Sequence, residues 1–465
     1  MMRFPANIFA GRRYAVVGLG RAGLASLRAL TAMGAMVSGW DDAGFARDAA
    51  EHEGFLIADP ASEIGDLDAL ILSPGIPHRL PVPHRIASAA ITAGTPIWTD
   101  VELLYRAVRG AGSRARFVGI TGTNGKSTTT ALLAHILTEA GVPNAAGANL
   151  GPAALSLPLL PDRGVYVLEM SSYMLERLAT TRFDAAVLLN LSPDHLDRHG
   201  DMAGYAAAKR QVFARQLPGD AAWVGIDDAE SRALLATVPG ARTISGGAPA
   251  PVSGATPANV WCDAGVLRDG GGEIVRMARA HALPGPHNAQ NAAAAAALAL
   301  SLGVPRGQIA AGIISFPGLA HRQELVATLG GVRFVNDSKA TNADAAARAL
   351  ACYERIVWIA GGIAKAGGIL PLAPYFPRVA KAVLIGRDAA AFAAVLEFHG
   401  VAYDMAETLD RAVPAAFAAA RAAGAEVVLL SPACASFDQF SGFEARGARF
   451  RDLVGLLLDA PAEVV

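Results

Sequence analysis

Residues 116–130 read Arg116-Phe-Val-Gly-Ile-Thr-Gly-Thr-Asn-Gly-Lys-Ser-Thr-Thr-Thr130, a short apolar strand running through a glycine-rich turn into a helix. This order of residue types suits a nucleoside triphosphate. Glycines let backbone N–H groups turn towards phosphate oxygens, the following helix aims the positive end of its dipole at them, and Lys126 adds a point charge. Gly122, Thr123, Asn124, Gly125, Lys126, Ser127 and Thr128 are therefore the candidate phosphate cradle, with the Ser127 hydroxyl offered to Mg²⁺. The usual P-loop spacing places a glycine where this chain has Ile120, and Gly119 and Gly122 stand instead. The lysine and the hydroxyl add nothing to a bare turn, which weighs against a purely structural loop.

Two more strand ends carry chemistry. An apolar run, Val165–Leu168, delivers Glu169, and an acid at the carboxyl end of a strand beside a phosphate loop is placed to hold Mg²⁺; capping of the next helix is the alternative. A second run, Ala185–Leu189, ends in Asn190-Leu-Ser-Pro-Asp194-His195-Leu-Asp197-Arg198-His199. Asp-His-x-Asp can take zinc, but no cysteine is near and the neighbouring site wants a hard cation, so His195 is assigned to Mg²⁺; a solvated loop is the alternative. On the next helical stretch, Tyr205–Gln211, Lys209 reads from its neighbours alone as a solvated lysine. His287, Asn288 and Asn291, at the head of an alanine-rich helix, suit base or ribose recognition, although capping explains Asn288 nearly as well.

The elements that must position these groups follow an α/β pattern. The first hundred residues open with a strand, then Gly18-Leu-Gly-Arg-Ala-Gly23, a helical stretch to Met33 and a second strand, Ala35–Trp40, closing on Asp41-Asp42. Alone this predicts a Rossmann-like unit binding NAD. A further strand, Ala69–Leu72, ends in the tight turn Ser73-Pro74-Gly75-Ile76-Pro77, at the sheet edge where such folds take ligands. A helix over Asp100–Val108 and a polar linker, Arg109–Arg114, close this part. After the central stretch, short β-rich segments over Ala221–Ala282 lead to the alanine-rich helix. The pattern restarts near Gly318–His321, with strands Val332–Val335, Ile356–Ile359, Val383–Ile385 and Val427–Leu430 alternating with helices at βα spacing.

With 465 residues the chain exceeds one ordinary core, and about three domains are expected. Its 52% hydrophobic content makes burial easy, and a net charge of -1 without long basic runs leaves no electrostatic footprint for nucleic acid. The three cysteines, Cys262, Cys352 and Cys434, have neither disulfide-framework nor zinc-knuckle spacing, which fits a reducing cytoplasm. No stretch reads as a signal peptide or a membrane span.

Thr121-Gly-Thr-Asn-Gly-Lys-Ser-Thr128 and Glu169-Met-Ser-Ser-Tyr-Met-Leu-Glu176 resemble marks of the Mur ligase and folylpolyglutamate synthetase superfamily. Asn336-Asp-Ser-Lys-Ala-Thr-Asn342 and Ser431-Pro-Ala-Cys-Ala-Ser-Phe-Asp-Gln-Phe440 resemble segments of its D-glutamate-adding branch. The resemblance covers nearly the whole chain and implies three α/β domains: a Rossmann-like N-terminal domain over 1–110 binding the UDP substrate, a central P-loop-type ATPase with a mostly parallel sheet over 111–319, and a Rossmann-like C-terminal domain over 320–465 taking D-glutamate. It implies ATP with Mg²⁺, two ions, and an acyl phosphate on the alanyl carboxylate of UDP-MurNAc-L-Ala that the D-glutamate amine attacks. By residue-for-residue match, Lys209 would be carbamylated and would hold metal with Ser127, Glu169 and His195. Lys126, His195, Lys209 and Lys339 would be catalytic. Asn288, Arg322 and Asp337 are matched to ATP. Gly20, Arg21, Ala22, Asp41, Asp42 and Gly75 are matched to the UDP moiety, Asn149 to the muramoyl-alanine end, and Thr341, Lys365, Ser436 and Phe443 to D-glutamate. A monomer using small-molecule substrates in the cytoplasm, with no nucleic-acid or membrane partner, completes the expectation. Its rivals are another ligase of the superfamily, a dehydrogenase built on Gly18–Gly23, and a catalytically silent UDP-sugar binder.

Overall fold

A computed structural model describes residues 2–247, 259–365 and 367–459; positions 248–258 of the β-rich stretch and the last six of the C-terminal domain lie outside the described residues. The chain divides into two compact units, one formed by Met1–Ala280 with Pro286–Phe316 and the other by His281–Gly285 with Pro317–Val465.

The first unit contains two sheets. One has four parallel strands in the order Met36–Trp40, Arg13–Val17, Ala69–Leu72, Ile97–Trp98. Its central strands are continuous apolar runs because helices cover both faces. The other has nine strands, in the order Gly272–Arg276, Val266–Asp269, Val260–Asp263, Arg242–Ser245, Ala221–Gly225, Ala185–Leu188, Arg116–Thr121, Val165–Glu169, Asn144–Ala148. The pairs that join Val266–Asp269 to its two neighbours are antiparallel and the rest parallel. After Arg116–Thr121 the chain builds two strands on one side and then crosses to the other for Ala185–Leu188. A crevice therefore opens at the carboxyl end of Arg116–Thr121, where doubly wound sheets place their ligands. Register carries Glu169 there, opposite Ile120, and brings Leu188 opposite Thr121.

A single hydrophobic cluster passes from Tyr14, Leu27 and Trp98 through Val101, Leu104 and Val108 to Phe117, Tyr166 and Phe183. Helix Asp100–Gly110 is the bridge, since it buries apolar side chains against both sheets. Its acids are buried as well. Asp100 accepts from Ala154 N–H at 3.1 Å. Glu102, 0% exposed, accepts from the backbone N–H of Ala179, Thr180 and Thr181, from both threonine hydroxyls and from Arg106.

The second unit is built on a six-stranded sheet, Glu324–Leu329, Val332–Asn336, Val427–Leu430, Ile356–Gly361, Val379–Ile385, Tyr403–Glu407, parallel apart from its first pair. Apolar clusters fill both of its faces, one around Trp358 and Leu384 and one around Phe334 and Val413. Among the described residues no helix is long and apolar enough to cross a membrane.

Glu102 yields a test with a defined sign. Burial pushes its carboxyl up, and the hydrogen bonds from Thr180, Thr181 and Arg106 outweigh this, so the folded value lies below the ordinary 4.5. The network's stabilisation is then present above pH 4.5 and lost as pH falls through the folded value. Glu102→Ala should cost about 3 kcal/mol at neutral pH by leaving those donors unpaired. Glu102→Gln should flatten the acid limb of stability; thermal melts from neutral pH down to about pH 3 read both effects.

Candidate functional site

The loop after Arg116–Thr121 is held from three sides. Thr121 Oγ1 donates to Met170 O at 2.9 Å, Thr123 N to Asn190 O at 2.9 Å and Asn124 N to Asn190 Oδ1 at 2.9 Å. Gly125 has φ +83° and a Cβ there would fall 2.1 Å from Asn291 Oδ1, so both the backbone conformation and the space require glycine. Helix Lys126–Glu139 begins at once, with no side-chain cap from Gly125, and turns the positive end of its dipole towards the loop. Gly119, which stands beside the position where the usual motif has glycine, takes no part in the cradle. It lies inside the strand, where a Cβ would meet Phe183 and Val212, so its glycine serves packing.

Two amines converge on one carbonyl of this loop. Lys126 Nζ donates to Gly122 O at 2.9 Å and to Thr123 O at 2.8 Å, and Lys209 Nζ donates to Gly122 O at 2.8 Å. Lys209 is 2% exposed, which overturns its reading as a solvated lysine. Burial first, and Lys126 second, hold its amine well below the ordinary 10.5, against the opposing pull of Asp194 and Glu169. The Tyr205 ring faces Nζ at 4.6 Å, and Tyr205 Oη lies 3.3 Å from Thr123 Oγ1.

Glu169 Oε1 accepts from Asn149 Nδ2 at 2.6 Å, while Oε2 is buried without a hydrogen-bond partner. The capping alternative fails, because helix Ser172–Leu175 is capped by Ser171. His195 sits at φ +52° with its ring 5.1 Å from that of Tyr173 and Nε2 3.4 Å from Asp194 Oδ2. Burial, then Lys209 and Lys126, lower its ring below the ordinary range, and Asp194 opposes them. Ser127 is buried at the helix start. Among the described residues no group of three or more His, Cys, Asp or Glu could hold a metal.

Asn288 and Asn291 lie within helix Pro286–Ser301, past its cap, and join through Asn291 Nδ2 and Asn288 Oδ1 at 3.0 Å. Asn291 Oδ1 also accepts from Thr129 Oγ1 at 3.3 Å, which ties this helix to the phosphate-loop helix. Asn190 braces the loop without having been assigned a site role, and Asn291, expected at a base or ribose, braces it as well. Their signals were a polar side chain closing an apolar strand and an i,i+3 pair of asparagines.

In the four-stranded sheet, a Cβ on Gly23 would fall 1.9 Å from Gly18 O, so that glycine allows the helix to approach the loop. Asp41 accepts from Leu19 N at 2.7 Å and Ala43 N at 2.9 Å and thus braces the loop itself. Asp42 meets His84 Nε2 at 2.9 Å. Gly20 caps helix Arg21–Ala32, which also contains Ala22, and Arg21 reaches Asn149 O at 3.5 Å. Gly75 is exposed on its turn.

Arg322, Asp337, Lys339, Thr341, Lys365, Ser436 and Phe443 belong to the second unit. Asp337 accepts from Ser431 Oγ at 2.8 Å, and burial pushes its carboxyl up to about 7. Lys339 Nζ lies 4.4 Å above the Phe443 ring. Short strands Ile363–Ala364 and Cys434–Ala435 pair antiparallel, so Lys365 follows the ladder at one end, next to Ala433, and Ser436 at the other, next to Gly362. Buried Arg446 joins them to the Asn336–Asn342 turn by donating to Ser338 Oγ, Ser338 O and Cys434 O. It too had not been singled out.

Residues 120–299 match the Mur ligase middle domain and residues 321–434 the Mur ligase glutamate ligase domain. A UDP-N-acetylmuramoylalanine–D-glutamate ligase of Paramagnetospirillum magneticum is 49% identical over 96% of this chain and 96% of its own length. The chain belongs to the UDP-N-acetylmuramoylalanine–D-glutamate ligase family. Another member, from Phenylobacterium zucineum, is 48% identical over 99% of both chains. Among solved structures, UDP-N-acetylmuramate-alanine ligase of Thermotoga maritima superposes with a TM-score of 0.58 at 16% identity over 96% of this chain and 99% of that one. A MurF of Acinetobacter baumannii gives 0.57 at 16% identity over 99% of this chain and 93% of that one. At that identity the likeness is one of fold, and it matches the expected multi-domain α/β architecture.

A buried amine held below its ordinary range makes folding sensitive to pH. Because the folded value of Lys209 is depressed, the unfolded chain binds the extra proton, and stability rises with pH towards 10.5. In CO₂-free buffer, Lys209→Met should remove that rise and melt higher than the parent at neutral pH, as read by calorimetry across pH.

Proposed function

We propose that the chain joins D-glutamate to UDP-N-acetylmuramoyl-L-alanine with ATP, giving the amide, ADP and phosphate. The observation that carries this reading is the loop Gly122–Thr128 opening a helix beside two lysines and a carboxylate with a buried, unpartnered oxygen. The printed names of relatives matching nearly its full length support the choice of substrates. We assign three functional domains, 1–110 to the UDP substrate, 111–319 to ATP and 320–465 to D-glutamate. The chain acts as a cytoplasmic monomer.

A carboxylate resists amines because its charge repels nucleophiles and oxide is a poor leaving group. Phosphorylation by ATP supplies the leaving group; the amine nitrogen then bonds to the acyl carbon, phosphate departs and the amine sheds a proton. The protein's share is position and charge. Helix N–H groups, Gly122–Thr128 and Lys126 hold phosphate oxygens, and Asn288, Arg322 and Asp337 hold the remainder of ATP. Gly20, Arg21, Ala22, Asp41, Asp42 and Gly75 hold or brace the UDP end, and Asn149 the muramoyl-alanine end. Lys339, Thr341, Lys365, Ser436 and Phe443 receive D-glutamate.

Two Mg²⁺ ions would be held by Ser127, Glu169, His195 and a carbamylated Lys209. The unpartnered Glu169 Oε2 fits a cation, and the scarcity of acids and imidazoles around it is met if Lys209 becomes anionic. Only an unprotonated amine attacks CO₂, and burial of Lys209 favours that form; nitrogen bonds to carbon, a proton leaves and a carbamate results. Bound Mg²⁺ would neutralise charge on the phosphates during transfer.

ADP release should require UDP-MurNAc-L-Ala and D-glutamate together; release with UDP substrate alone at the full rate would contradict the reading. Lys126→Ala should abolish turnover while calorimetric affinity for UDP-MurNAc-L-Ala stays within about twofold. Lys209→Ala should be inactive and partly restored by short carboxylates, and full activity without them would remove the carbamate from the account.

A further inference from the structure

Arg177 follows helix Ser172–Leu175, on the strand-to-helix segment that begins at Glu169, and is 3% exposed. Its guanidinium leaves the nine-stranded sheet's side and enters the turn after Ala69–Leu72. Nη1 donates to Leu72 O at 2.8 Å and Ser73 O at 3.0 Å, and Nη2 to Ile76 O at 2.6 Å. The remaining direction is taken by His78 Nδ1, 3.3 Å from Nη2. Arg198 adds a bond from Nη1 to Gly75 O at 3.0 Å, its own guanidinium lying 4.4 Å over the Tyr173 ring. Four carbonyls of one five-residue turn are thereby drawn towards two cations.

Among the described residues no carboxylate lies within ion-pair distance of Arg177. Burial, then Arg198, lower its guanidinium to about 10 against the opposing pull of Glu176, which leaves it charged at neutral pH. The same cation holds His78 neutral, with burial the larger cause, and a neutral His78 can accept through Nδ1. A buried charge held by carbonyl dipoles, with Glu176 acting on it only from beyond ion-pair distance, is costly. It becomes favourable when an anion completes the field above the turn, and a guanidinium fork that fixes several carbonyls also removes the turn's freedom to move.

On the reading under Proposed function, Gly75 of this turn faces the UDP moiety. Resting on that reading, we propose that Arg177, assisted by Arg198, is a positioning residue for the substrate's diphosphate, holding the Leu72–Ile76 turn in its binding conformation and placing positive charge behind it. It acts through the turn. An arginine in the central sheet's segment thus shapes a binding element of the neighbouring sheet.

Steady-state kinetics and calorimetry on the full chain test this with Arg177→Met, Arg177→Lys and Arg198→Gln. KM and Kd for UDP-MurNAc-L-Ala should rise about tenfold in Arg177→Met, while kcat and the KM values for ATP and D-glutamate stay within about twofold. Arg177→Lys, which keeps charge but cannot reach all the carbonyls, should fall between. Arg198→Gln, on a half-exposed side chain, should shift the same constant in a smaller degree and serves where Arg177→Met fails to fold. Unchanged Kd for the UDP substrate in Arg177→Lys and Arg198→Gln, or a parallel loss for all three substrates, would overturn the proposal. Binding without turnover in the parent chain would instead count against the proposed reaction, and the Kd comparison would still decide the role of Arg177.

Discussion

Two amines share the carbonyl of Gly122, and much of the first unit exists to make that possible. Ammonium groups repel each other, and burying one is costlier still. The structure meets the cost by burying Lys209 against the Tyr205 ring, where its amine is held well below the ordinary range, and by leaving Lys126 at the mouth of the helix. The loop is consequently prepared for anions on one side and carries a reactive amine on the other. Glu169, with one oxygen tied to Asn149 and one unpartnered, supplies the counter-charge at the same sheet edge.

Geometry of this kind demands a stiff support. The phosphate-loop strand lies inside a nine-stranded sheet, third from one edge, flanked by the strands that deliver Glu169 and Asn190. Helix Asp100–Gly110 welds the four-stranded sheet to it through a shared apolar cluster and through Glu102. Arg177 makes a third connection, from the Glu169 segment to the Leu72–Ile76 turn. Local choices in sequence agree with these connections: small residues where backbones approach, as at Gly23 and Gly125, and threonines where carboxylates need donors, as at Thr180 and Thr181.

The strands that carry the site were legible because each is a short apolar run ended by a polar residue, and the phosphate loop because glycine, lysine and hydroxyl occur in one fixed order. Lys209 was not legible from its neighbours: its helix, with alanines before it and polar residues after, looks alike whether the lysine faces water or the core. Only its place beneath Gly122, and before that the family resemblance, gave it a role. Glu102 and Arg177 were hidden for a related reason. A charged residue's burial depends on partners about 80 or 100 positions away in sequence, such as Thr181 and Leu72, and no local period encodes those. The Gly18–Gly23 loop is ambiguous in the opposite way, since by itself it reads as a dinucleotide site and only the resemblance of the rest of the chain to the ligase family turns the reading towards UDP.

In the proposed reaction ATP activates the alanyl carboxylate by phosphorylation before the D-glutamate amine attacks. Heavy-oxygen label placed in both oxygens of that carboxylate follows this step directly, because the bond broken on amide formation leaves one carboxylate oxygen on the departing phosphate. After complete turnover with ATP and D-glutamate, mass spectrometry of the inorganic phosphate should find one labelled oxygen per molecule. Unlabelled phosphate, with all the label retained in the amide product and water, would contradict the account.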